Sequence, residues 1–74
     1  MRPGTPKFVG ARLKEAREAR GLTAISLAEI VGVSRQAISQ YEHGSVSPHP
    51  EVMRKIAATV NLPFDFFWRP LIES

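Results

Sequence analysis

The stretch Thr23 to Gly44, TAISLAEIVGVSRQAISQYEHG, decides the fold, because two short periodic segments meet there at a glycine. Thr23 precedes the first segment with a hydroxyl able to accept a backbone N–H, which is the task of a helix N-cap. Leu27, Ala28 and Val31 then recur at helical spacing. Gly32 ends the segment, since glycine enters the left-handed conformation of a tight turn without a Cβ clash. Ser34 opens a second helix in the same manner. On it Ile38 and Tyr41 fall three apart, leaving Arg35, Gln36, Ser39 and Gln40 on the other faces as far as a stop at Gly44. Two helices that cross steeply need a small residue where their backbones approach. Ala28 is that residue, Gly32 makes the turn, Ile38 anchors the second helix on the first, and Leu27, Val31, Val33 and Tyr41 fill the space around them. On spacing alone this suits a DNA reader and an ordinary helical hairpin equally.

Upstream, Met1 to Pro6 contains Pro3, Gly4 and Pro6 with no apolar period, which predicts a mobile arm. Thr5 followed by Pro6 predicts the start of a first helix with Val9, Leu13, Ala16 and Arg20 on one face, ending at Gly21. Downstream, Ser45 to Pro50 reads as a loop. Pro50 suits the first turn of a further helix with Val52, Met53, Ile56, Ala57 and Val60 as its stripe and Asn61 as its end. Leu62 to Trp68 reads as a short aromatic helical turn, with Phe64 and Phe67 expected to pack inward. The expected organisation is an arm at 1–6, one compact five-helix domain at 7–68 and a tail at 69–74, all-α in class.

Length and composition agree. The chain has 74 residues, 43% hydrophobic and 23% charged, which is one globular domain rather than two, and far from the signature of disorder. So short a chain buries only about 60% of the surface its unfolded form exposes. Without cysteine it has neither disulfides nor a thiolate zinc site, so its apolar core must hold the fold. No apolar run or leading signal pattern points to a membrane or to export, and a cytoplasmic location is expected. The net charge of +3 is uneven: residues 1–20 hold six basic and two acidic side chains, +4, leaving −1 for the other 54. That suits a nucleic-acid or acidic partner, and equally a solvated helix face.

Between Gly10 and Phe67 the chain resembles the lambda-repressor-like, Cro and XRE-type helix-turn-helix family. The matching pieces are Arg12 to Arg17, Gly21-Leu22-Thr23, Leu27-Ala28, Gly32 to Arg35, Ile38-Ser39, Tyr41 to Gly44, Pro48 and Lys55-Ile56-Ala57. The resemblance implies a third helix in the DNA major groove, helix ends on the sugar-phosphate backbone, and a dimeric repressor of double-stranded operator DNA. It implies no cofactor and no small-molecule substrate.

Residues that face away from buried Ile38 and Tyr41 can meet a groove wide enough for a helix. Gln36 and Gln40, four apart, can each bond adenine N6 and N7; Arg35 suits guanine or a phosphate, and Ala37 suits a thymine methyl. Backbone anchoring is expected at the helix starts marked by Thr23 and Ser34, and from Ser39, His43, Ser45 and Ser47. The family frequently has Asn and Lys where this chain has His43 and Ser45, and a phosphate-touching Gln where it has Ala24. By resemblance, Arg17 and Glu42 form a structural ion pair. His43 and His49 flank a turn with no cysteine or carboxylate pair nearby, so neither a metal site nor a catalytic arrangement is expected.

A second reading is a protein-interaction or antitoxin-like module of the same fold. Ile25 and Ile30 stand where the family usually has polar residues, and Phe66, Trp68, Leu71 and Ile72 are expected to cover a second copy or another partner. Leu62 to Phe67 followed by Arg69-Pro70 also resembles the junction in regulators that continue into a zinc metallopeptidase of the ImmA/IrrE kind, although no HExxH is present.

Overall fold

The computed structural model describes residues 8–68. Thr23 and Ser34 act as the N-caps their position predicts. Thr23 Oγ1 accepts the Ser26 N–H at 3.0 Å, and Ser34 Oγ accepts the Ala37 N–H at 3.0 Å. They start α2 (Ala24–Val31) and α3 (Arg35–Glu42), between which Gly32 takes φ 79°. Its N–H and that of Val33 close the turn onto Ala28 O at 2.9 and 3.0 Å. Because these caps satisfy N–H groups that no helical carbonyl can reach, Ser34→Ala is expected to cost about 1 kcal/mol in urea unfolding without DNA. An unchanged midpoint would show the cap to be redundant.

Before this pair comes α1 (Gly10–Ala19), and after it α4 (Pro50–Val60), with Pro50 in the first turn and Asn61 left-handed at the end. A 3-10 turn, Phe64–Trp68, completes the order. Among the described residues there are four α-helices and this turn, with no strand. One core unites them: Leu13 and Ala16 of α1, Leu27, Ala28 and Val31 of α2, Ile38 and Tyr41 of α3, Met53, Ile56 and Val60 of α4, and Phe67. Each large member contributes roughly 1.5 to 3 kcal/mol by leaving water.

The start of α1 differs from the expectation. The helix begins at Gly10 rather than after Thr5, with Val9 as its extended cap (φ −104°, ψ 101°). The cause lies at the far end of the chain. Val9 N–H donates to Phe67 O at 2.7 Å, while Phe8 stacks on Phe67 and meets the Trp68 ring edge-on, which keeps 8–9 out of the helix. The expected arm at 1–6, with its Thr5 cap, and the tail at 69–74 lie outside the described residues.

Phe64 is a second correction. It is 43% exposed rather than inward, because Trp68, in contact with Phe8 on one side and stacked on Phe64 at 6.3 Å, occupies the space beneath it. Phe67 alone of the two is fully buried.

Candidate nucleic-acid interface

Burial fixes what α3 can present. Ile38 is completely buried, and Tyr41 and Ala28 are nearly so, which turns Arg35, Gln36, Ser39 and Gln40 to solvent. These four side chains share a continuous polar surface. Ala37 stands apart, half-buried against the core, so only part of its methyl faces outward.

At the helix starts the cap bonds leave hydroxyl protons available. Ser34 Oγ is used as an acceptor, which leaves its O–H to donate to an anion at the same helix end. Thr23 Oγ1 also lies 2.8 Å from Ser26 Oγ, so one proton of that pair bonds inside it and the other points elsewhere. Ser26 was missed in the sequence reading; its signal was its place three residues after the Thr23 cap. Beyond α3, Ser45 and Ser47 are exposed, and Ser45 N–H donates to Gln40 O at 3.0 Å. His43 caps α3 and its Nδ1 lies 2.7 Å from Ser39 O.

The orientation of α3 is held by an ion pair. Arg17 Nε donates to Glu42 Oε2 at 2.6 Å, with the side chains only 11% and 10% exposed, and Arg17 also donates to Leu22 O at 2.7 Å. The hydrogen bond to Glu42 pushes the Arg17 guanidinium still higher than its usual range, against the opposing effect of burial. Gly10, at the start of α1, abuts the Tyr41 and Glu42 carbonyls, so α1 meets α3 at the same end.

The charge on this face is sparse. α2 and α3 together carry Glu29, Arg35 and the paired Glu42. Among the described residues no group of His, Cys, Asp or Glu could hold a metal ion, and no helix is long and apolar enough to cross a membrane. Phe66 and Trp68 are half-buried against the core, Phe66 with the Arg12 guanidinium 5.2 Å from its ring centre; Leu71 and Ile72 lie outside the described residues. Ile25 and Ile30 are each 55% exposed.

Two capped helices crossing at Ala28, with the polar face of the second turned outward, define a helix-turn-helix domain. A helix-turn-helix family model matches residues 13–67. The chain is 38% identical over 64 residues to the transcriptional regulator SutR of Escherichia coli, covering 86% of this chain and 36% of that protein. It is 37% identical over 57 residues to the transcriptional repressor RghR of Bacillus subtilis, covering 76% and 42%. The P22 c2 repressor bound to a synthetic operator superposes with a TM-score of 0.79 at 25% identity, covering 85% of this chain and 96% of that one. The chain therefore belongs to the lambda-repressor-like, XRE-type helix-turn-helix family. It spans 36% and 42% of the lengths of the two regulators named.

Proposed function

We propose that this chain is the operator-binding part of a cytoplasmic transcriptional repressor that acts by occupying double-stranded DNA, with no catalytic role. The observation that carries this reading is the outward polar face of α3, obliged by the burial of Ile38 and Tyr41. Gln36 and Gln40 read adenines, Arg35 reads guanine or holds a phosphate, and Ala37 offers its partly exposed methyl to thymine. Thr23, Ser34, Ser39, His43, Ser45 and Ser47 meet the backbone through hydroxyl and imidazole groups near helix ends. A second copy joins at the 3-10 turn beside Phe66 and Trp68, which places two α3 helices about 34 Å apart and calls for a near-palindromic site.

Selection from randomised duplexes tests this. The Gln36→Ala and Gln40→Ala variants are each expected to lose preference at one base pair per half-site, worth about 1 to 3 kcal/mol. Base preference unchanged in both would remove these residues as readers.

The exposed Ile25 and Ile30 and the sparse charge favour a second reading, a protein-binding module of the same fold. Salt separates the two. Four to eight phosphate contacts per dimer give a log-log slope of about −4 to −7, whereas a protein partner gives little.

A further inference from the structure

His43 stands seven residues after Gln36 and three after Gln40, and its backbone keeps near-helical angles (φ −84°, ψ −5°). All three side chains therefore share one stripe of α3, about 10 Å long, with the imidazole at its C-terminal end. The ring is exposed, and its Nδ1 lies 2.7 Å from Ser39 O and 3.4 Å from Ser39 Oγ. A carbonyl oxygen can only accept, so the proton of the neutral ring sits on Nδ1 and is committed to α3. Nε2 then carries a lone pair in the neutral ring and an N–H only in the imidazolium. A phosphate oxygen is also purely an acceptor. The two can hydrogen-bond only when His43 is charged.

The charged groups on the elements packed against α3 do not take this role away. α1 brings Arg12, Lys14, Glu15, Arg17 and Glu18, of which Arg17 is held by Glu42 at 2.6 Å with Glu18 at 4.0 Å. α2 brings Glu29 alone, α3 itself Arg35 at the opposite end and Glu42, and residues 44–49 no ionisable side chain except His49. No hydrogen bond or ion pair joins any of these to His43 among the described residues. One added positive charge on so sparsely charged a face is a large relative change.

We infer that His43 is a proton-gated phosphate anchor: as the imidazolium it donates Nε2–H to the DNA backbone, and operator affinity falls as pH rises and the ring loses its charge. The inference rests on the DNA-binding reading and adds its regulation. Neither the bases nor the phosphodiesters of a duplex titrate between pH 5 and 8, so a pH dependence found there is supplied by the protein.

The test is fluorescence anisotropy of the whole chain on its selected duplex from pH 5.5 to 8.5, with circular dichroism at each pH to confirm an unchanged fold. Affinity is expected to fall roughly tenfold for each bound protomer across the range, the loss of one charge-assisted hydrogen bond. The salt slope is expected to be steeper at the acid end by about 0.9 per protomer. His43→Asn and His43→Gln, which keep a neutral donor, are expected to bind with a flat pH profile, while His49→Gln keeps the slope. A flat profile in the unmodified chain, a slope that survives both His43 variants or disappears in His49→Gln, or folded His43 variants that bind nowhere, would each overturn the inference while leaving the DNA reading intact. Failure to bind any duplex at any pH would overturn the DNA reading itself.

Discussion

A Gly10→Ala variant is expected to lose about 3 kcal/mol of stability, enough to lower the melting temperature of a domain this small by roughly 12 to 24 °C. By helix propensity alone the change should help, because alanine is favoured over glycine by about 1 kcal/mol inside a helix. The opposite sign is expected from position. A Cβ on Gly10 would run into the backbone carbonyls of Tyr41 and Glu42, and backbone, unlike the end of a side chain, cannot swing aside. Relief requires α1 to move off the end of α3, which strains the Val9–Phe67 bond and the Arg17–Glu42 pair together. Gly32→Ala is the informative contrast: its Cβ meets nothing within 4 Å, and its cost comes from φ 79°, about 1 to 2 kcal/mol. Urea melts of the two variants should rank Gly10→Ala well below Gly32→Ala. A Gly10→Ala protein as stable as the parent would mean that the approach of α1 to α3 is looser than the structure shows.

The contrast between these glycines also explains what was legible in the sequence. Gly32, Thr23 and Ser34 act on neighbours two to four residues away, so their chemistry and their consequence sit in one window of sequence. Gly10 acts on Tyr41 and Glu42, and its spacing within α1 carries no trace of that contact. The same distance in sequence hid the true start of α1, where the Phe67 carbonyl holds Val9 extended and overrides the Thr5-Pro6 start signal. Arg20 shows it again: its period places it on one face with Val9, Leu13 and Ala16, but only the structure shows that it sends Nε to Val60 O at 3.0 Å and so closes the end of α4. Phe64 failed for another reason. Several aromatic residues compete for one pocket, and composition cannot say that Phe67 fills it while Trp68 lies against Phe8. On the candidate interface, the outward set on α3 was readable because two buried residues fix the rotation of a helix. The tautomer of the neutral His43 ring was not, since it depends on which carbonyl the ring nitrogen meets.

Arg17→Met and Glu42→Leu, made singly, are each expected to cost about 3 kcal/mol, and together less than Arg17→Met alone. Each single change strands a charge in a site about one-tenth exposed, where water cannot restore its solvation. The pair removed together leaves no uncompensated charge and adds two apolar side chains at the junction of α1 with the end of α3. Arg17→Met should be the worse single change, because it also abandons Leu22 O, which Arg17 Nη1 bonds at 2.7 Å. A double-mutant cycle in urea measures the coupling directly. Strictly additive losses would mean that each residue contributes through packing and that the 2.6 Å contact carries no coupling of its own. The double variant also separates stability from orientation. Glu42 adjoins His43 and follows Gln40 by two residues, so the pair fixes the end of the stripe proposed to meet DNA. If the ion pair serves mainly to aim that stripe, the double variant, though more stable than Arg17→Met, should bind its operator more weakly than the parent does. Affinity equal to the parent's would assign the aiming of α3 to Ile38, Tyr41 and the close approach at Gly10 instead.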